Sequence, residues 1–190
     1  AGTITNDDID RNLNFIEVSD IFLTQLETPY KVTSYALKKA KEKGLATILN
    51  PAPACEIDDD DFKLIDFFTP NETEAEFYLN KKIESEKDIK NASEEFLKKG
   101  IKNIIITLGE KGCYFANEKD SFFINAFKLK ESVLDTTGAG DAFNGALAVG
   151  LAKNLDIKQA LNFANKVAAI STTKQGAAAS MPSLEDVENY

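Results

Sequence analysis

Short apolar runs alternate along this chain with longer segments whose apolar residues recur every three or four positions. The first pattern belongs to buried strands, the second to helices that hide one face. Asp7 to Glu17 reads as a helix capped by Asn6 or Asp7, and "DIFLTQLE" (Asp20–Glu27) as a buried strand. Pro29 opens a helix to Lys43, and Gly44 stops it. "LATILN" is the next strand, halted by "PAPA"; "LIDFFTP" follows, then the capped helix "NETEAEFYLN". Ser85 to Lys99 is helical, with Gly100 as its stop, and "NIIITLG" is a very apolar strand. "CYFAN", "SFFIN" and "AFKLK" read as short antiparallel strands separated by turns. Two long helices come next, Gly140–Lys153 and Asp156–Thr172. The second carries Ile157, Ala160, Leu161, Ala164, Val167 and Ala168 on one face. "KQGAAASMP" is a loop and "SLEDVENY" a last short helix.

Buried strands joined by crossover helices predict an α/β fold, a mostly parallel sheet covered on both faces. Ligands in such folds lie beyond the carboxyl ends of the strands. The residues with chemistry to offer fall at those ends: Glu27, Asn50, Asn71 with Glu74, Thr107 with Gly109, and Asp135.

Charge and composition narrow the function. A chain of 190 residues that is 43% hydrophobic is long enough to bury a core, and we expect one domain. A net charge of −9 without a basic patch argues against nucleic acid or an acidic membrane as partner. The chain has no apolar run of membrane-spanning length, and "AGTITNDDID" lacks the pattern of a signal peptide. Histidine is absent, which removes His-based zinc sites and Ser-His-Asp triads. Cys55 and Cys113 stand in no metal or redox spacing. Together these point to a reducing, cytoplasmic compartment.

The most informative stretch is "VLDTTGAGDAFNGALAVGLA" (Val133–Ala152). It contains no P-loop, and Phe143 stands where a dinucleotide fingerprint needs its third glycine. Gly138, Ala139 and Gly140 at a helix start suit an anion hole, whose amides and helix dipole would stabilise charge on a migrating phosphoryl group. Asp141 is placed to accept the proton of an attacking hydroxyl. The plainer alternative is a glycine turn and an N-terminal Asp. Asn71 and Glu74 form a capping box or, alternatively, stand near a magnesium ion and its waters. The loop from Thr107 through Gly109 to Gly112 is a turn that could also line a nucleotide's phosphates or ribose. Glu27 can hold two sugar hydroxyls or serve as a surface charge, and "KQGAAAS" could offer carbonyls to a hard cation.

In order, "QLETP", "LNPAPA", "TPNETEAE", "TLGEKG", "DTTGAGDAFNGAL" and "AAISTTKQGAAASMP" resemble the ribokinase family of carbohydrate kinases over nearly the whole chain. The resemblance implies a three-layer α/β sandwich over residues 1–190, with a mostly parallel central sheet and helices on both faces. It implies an ATP-dependent kinase acting on a sugar hydroxyl, first of all the 5-hydroxyl of D-ribose. The alternatives are another sugar or nucleoside of the same family, or a non-catalytic nucleotide-binding module.

The site residues carry over by resemblance. Asp141 is the implied base and sugar contact, and Gly138, Ala139 and Gly140 the anion hole. Glu27 is the sugar-hydroxyl ligand. Asn71, Thr107, Gly109, Gly112 and Asn165 are nucleotide contacts, with Asn165 beside the adenine. Glu74 associates with Mg2+. Asp135, Thr137, Ser171, Lys174, Gly176 and Ser180 form a loop for K+, several of them through main-chain oxygen. The match starts abruptly at "AGTITNDDID", which implies the C-terminal two-thirds of a family member, without the first strands, the glycine-rich sugar motif and the lid. The whole protein is expected to be a homodimer.

Overall fold

Segments that stop hydrogen-bonding to themselves and start pairing sideways do so where the sequence is short, apolar and β-branched, as in Ile104-Ile105-Ile106, all fully buried. The computed structural model describes residues 2–190. In chain order it contains α1 (Asn6–Arg11), α2 (Leu13–Glu17), β1 (Ile21–Thr24), α3 (Tyr30–Glu42), β2 (Ala46–Leu49) and β3 (Phe67–Phe68). There follow α4 (Glu72–Leu79), α5 (Glu86–Lys98), β4 (Asn103–Thr107), β5 (Cys113–Asn117) and β6 (Ser121–Ile124). The chain closes with α6 (Ala139–Ala152), α7 (Ile157–Ser171) and α8 (Leu184–Asn189).

Among the described residues the strands form one sheet in the order β1-β2-β3-β4-β5-β6. The first four are parallel, in a register that sets Ile21 beside Ala46, Ile48 beside Phe67 and Phe67 beside Asn103. The connections 108–112 and 118–120 are too short for a parallel crossover, so β5 and β6 return antiparallel.

The chain divides into two compact units. One runs to Leu108 and takes in Tyr114–Phe123; the other is Gly109–Cys113 with Ile124–Tyr190. In the first, α3, α4 and α5 share one core with the sheet, through Leu37, Ala75, Ile89, Ala92 and Phe96 against Leu49, Phe68, Ile104 and Ile106. The rings of Phe62, Phe68, Tyr78 and Phe96 meet edge-on at centroid distances of 5.3–6.5 Å. In the second unit α6 packs on α7 and α7 on α8. Gly150 lets α6 come close: a Cβ there would lie 3.0 Å from that of Ala160.

Several element boundaries differ from expectation. The first helix is broken into α1 and α2 at Asn12 (φ −115°, ψ 16°), whose amide bonds back to Asp8 O, and its cap is Thr5 rather than Asn6 or Asp7. β1 ends at Thr24 because Leu26 N–H turns to Ala52 O. β3 is only two residues long, since Leu64 closes a 3-10 turn and Asp66 turns its side chain to Thr47. Residues 126–130 are not a strand: Phe127 leaves the sheet and lies under the Lys166 ammonium of α7 at 5.3 Å.

Candidate active site

In the first unit the carboxyl ends of the strands carry a polar string. Gln25 Nε2 donates to Asn50 Oδ1 at 2.9 Å, and Asn50 Nδ2 to Thr69 O at 3.0 Å, joining the ends of β1, β2 and β3. Asn50 is 8% exposed and spent in this string. Asn71 and Thr107 meet as a parallel bridge, with Thr107 N–H bonded to Pro70 O. Two expected nucleotide contacts thus stand side by side. Asn71 and Glu74 form a full capping box: Glu74 N–H donates to Asn71 Oδ1 at 2.8 Å, and Asn71 N–H to Glu74 Oε2 at 2.9 Å. Burial pushes the Glu74 carboxyl above its ordinary value, against the Asn71 N–H, which favours the charged form. Glu27 lies exposed just past β1.

In the second unit the approach to α6 is built by Asp135. Its Oδ1 accepts from Thr137 N–H and its Oδ2 from Gly176 N–H, both at 2.9 Å. The Thr137 hydroxyl and these two amides hold the Asp135 carboxyl at about 2. Leu134 and Asp135 N–H both donate to Thr172 O, so residues 134–137 are stapled to 172–176. Gly138 then turns into the helix at φ +78°, a left-handed conformation that costs other residues, and a Cβ there would meet Ala177 at 3.2 Å. α6 begins without a side-chain cap, and Asp141 is exposed in its first turn.

One expected donor of the anion hole is already engaged. The Ala139 N–H donates to Thr136 O at 3.1 Å, closing the turn that aims the helix, so Gly138 and Gly140 carry what remains of that reading.

The other cation-loop residues are largely occupied locally. Ser171 and Ser180 are buried and donate their hydroxyls to Ala168 O and Ala177 O. Lys174 reaches Asp186 at 3.6 Å in an exposed ion pair. Among the described residues no cluster of three His, Cys, Asp or Glu side chains could hold a metal. The Asp135 carboxylate oxygens are hard donors of the kind an alkali cation takes, and each of them also accepts from a main-chain N–H here.

Asn165, on the inward face of α7, lines a cavity of about 480 Å³ with Asn125, Ala126, Phe127, Lys128, Phe163 and Lys166. Its Nδ2 lies 3.7 Å from Cys113 Sγ and 3.5 Å from Asn125 O. Gly112 (φ +98°) passes so near residues 124–126 that a Cβ would fall 2.0 Å from Ile124 O. Gly109 is also left-handed, at φ +56°, and faces open space.

Sequence reasoning named Asn165 but missed the rest of that cavity wall. Asn162, Asn165 and Lys166 share one helix face, a spacing that could have revealed it; residues 125–128 were hidden by the strand assignment. Gln25 was missed because its role is to hold Asn50.

Comparison with known proteins identifies the family and the fold. The sequence model of the pfkB family carbohydrate kinases matches residues 6–184. The chain is 40% identical over 186 residues to a ribokinase of Staphylococcus aureus, covering 97% of this chain and 60% of that protein. It is 34% identical over 188 residues to a deoxyribokinase of Salmonella typhi, covering 98% and 61%. Its backbone superposes on an Arabidopsis thaliana ribokinase complexed with ribose and ATP with a TM-score of 0.90 at 28% identity, covering 95% of this chain and 58% of that one. The chain therefore spans about 60% of the length of the curated relatives it matches. A family model over almost the whole chain, and a ribokinase-like fold of parallel strands and helices, place this chain in the pfkB family of carbohydrate kinases.

Proposed function

We propose that the protein carrying this chain is an ATP-dependent sugar kinase, and that residues 1–190 are the nucleotide-binding and catalytic part of one ribokinase-like domain. The observation that carries this reading is the start of α6: a left-handed Gly138, a helix without a side-chain cap, and an exposed Asp141 in its first turn. Asp141 takes the proton from the acceptor hydroxyl as its oxygen bonds to the γ-phosphorus of ATP; the bond to the β-phosphate oxygen breaks and ADP leaves. The N–H groups of Gly138 and Gly140 and the dipole of α6 stabilise the charge on the transferring group.

The cavity beside Asn165 takes the purine base, supported by its aromatic and amide lining. Asn71, Thr107, Gly109 and Gly112 are assigned to the rest of the nucleotide by resemblance. Glu74 would hold Mg2+ through its waters, and that ion would neutralise phosphate charge. Carbonyl and carboxylate oxygens of the Asp135 and Gly176 segments would hold K+ behind the α6 turn, with Thr137, Ser171 and Ser180 contributing oxygens. Glu27 would hold two hydroxyls of the sugar.

We take D-ribose as the acceptor, phosphorylated at its 5-hydroxyl, because the more similar curated relative is a ribokinase. The deoxyribokinase relative favours a second reading, 2-deoxy-D-ribose. Both free thiols fit a reducing cytoplasm, and no helix among the described residues is long and apolar enough to cross a membrane. A homodimer is the assembly we expect of the whole protein. ADP release from ATP, magnesium and each sugar in turn, with and without potassium, tests the reading. We expect a higher kcat/KM with ribose and stimulation by potassium. ATP binding without sugar phosphate from any pentose would leave only a nucleotide-binding module.

A further inference from the structure

Asn50 N–H donates to Thr24 O at 3.0 Å, the bond that closes the pairing of β1 with β2. Past it the chain bends at residues 26–28, with Glu27 exposed. That bend is held on both sides of Glu27. On one side Leu26 is buried, and its N–H donates to Ala52 O at 2.9 Å. On the other, the hydroxyls of Thr28 and Thr33 share a hydrogen bond of 2.6 Å. The Gln25 carboxamide donates to Asn50 Oδ1, and the Ala52 N–H returns to Asn50 O at 2.8 Å. The anchors from Gln25 and Leu26 therefore converge on one residue, Asn50. Its orientation is fixed from the far side. A main-chain carbonyl can only accept, so Thr69 O selects Nδ2 as the end of the Asn50 carboxamide that faces β3. Oδ1 is thereby turned to β1, where the Gln25 amide supplies its donor.

We propose that Asn50 is a positioning residue for the sugar: through Gln25 and Ala52 it holds the bend that presents Glu27. The inference rests on the reading of Glu27 as the ligand of two sugar hydroxyls and adds to it what keeps that carboxylate in place. A carboxylate that must meet two hydroxyls at once gains from being held, because freedom lost on binding subtracts from affinity. The effect falls on the sugar and not on the nucleotide, because the β3 side has other supports. Thr69 N–H donates to Leu49 O at 3.0 Å, Thr107 N–H to Pro70 O at 2.9 Å, and Asn71 is closed in its capping box. Asn50 is 8% exposed with both ends of its amide engaged, so in this role it acts through its neighbours rather than on a substrate.

The test is steady-state kinetics of the protein carrying this chain, with ATP and the preferred pentose varied in turn well below Tm. In Asn50→Leu, which keeps the side-chain shape, KM for the pentose should rise about three- to tenfold, the span of one net hydrogen bond. KM for ATP and kcat should stay within about twofold. In a Glu27→Ala background the same Asn50 change should add less than about twofold, since it acts through the carboxylate already removed. Gln25→Leu leaves the bond from Asn50 to Thr69 in place and should move KM for the pentose in the same direction, so it decides the matter if Asn50→Leu fails to fold. A lowered Tm with KM for the pentose unmoved in Asn50→Leu, while Glu27→Ala raises it, would overturn the inference and leave Glu27 as the sugar ligand. Equal rises in the two KM values, or full additivity with Glu27→Ala, would overturn it as well. A KM for the pentose untouched by Glu27→Ala would remove the Glu27 reading itself, and the inference with it.

Discussion

The helices α4 and α6 begin in opposite ways. At α4, Asn71 and Glu74 satisfy each other's N–H groups, so the first turn closes on itself. The starts of α1, α5, α7 and α8 are closed by the same reciprocal box, with Thr5, Ser85, Asp156 and Ser183 as caps. At α6 a left-handed glycine stands where the cap would be, and Asp135 spends its carboxylate on Thr137 and Gly176 instead of the helix. A capping side chain contributes about 1 kcal/mol to stability. A helix start that forgoes it leaves its first N–H groups without a capping side chain. One N-terminus is closed by its own side chains, and the other is where we propose the anion is held.

Removing the proposed base should produce the largest effect. Asp141→Asn keeps the size of the side chain and removes its negative charge and with it its ability to take a proton. Turnover of sugar should fall by about 10²- to 10⁴-fold, with the Kd for ATP changed less than about twofold. Turnover within a factor of about three of the unaltered protein would assign the proton to another group. Gly138→Ala should come second. The substitution forces a side chain into φ +78° with Ala177 at 3.2 Å. The strain should cost about 1–2 kcal/mol of stability, read from urea unfolding. If the turn shapes the anion hole, kcat should fall about tenfold or more while KM for ATP moves little.

Asn71→Ala probes the other helix start. Loss of the cap should cost about 1 kcal/mol, a lowering of Tm by about 2–4 °C. A fall in kcat as deep as that of Asp141→Asn would erase the contrast between the two starts. A KM for ATP raised with kcat unchanged would sharpen it, giving Asn71 a binding role besides its cap.

The sequence made the contrast only partly visible. The capping box of Asn71 and Glu74 is local, written in four consecutive residues, and was legible together with the helix it opens. So was the glycine turn into α6, because "GAG" before an apolar helix has few other uses. The commitment of the Ala139 N–H to Thr136 was not, since turn closure depends on backbone angles that small residues leave open. Asp66 was equally hidden. It read as a strand residue, yet it is 7% exposed and bonded to Lys41, Lys102 and Thr47, partners 25, 36 and 19 positions away. Contacts across such separations are set by the sheet order. The residues 126–130 alternate as a strand does, but Phe127 packs under Lys166, a tertiary contact that outweighs the local pattern.

The smallest predicted effect separates the two starts by the sign of their response to acid. The Asp135 carboxyl is held at about 2, below its ordinary value of 3.8, by the Thr137 hydroxyl and by the amides of Gly176 and Thr137. A depressed folded value means that its contribution is complete above the unfolded pKa and disappears as pH falls from about 4 through about 2. Glu74 behaves in the opposite sense. Burial raises its carboxyl above 4.5, so its contribution is complete below that value and declines as pH rises through the folded pKa. Carboxyl carbon chemical shifts followed by NMR should therefore give a midpoint near 2 for Asp135 and one above 4.5 for Glu74. Asp135→Asn should flatten the loss of stability between about pH 4 and 2, and Glu74→Gln should flatten the decline above about 4.5. Two midpoints at ordinary values would mean that neither the bonds from Thr137 and Gly176 to Asp135 nor the burial of Glu74 perturbs its carboxyl. A depressed Glu74 would instead show the capping amide outweighing burial, making α4 the more anion-ready of the two.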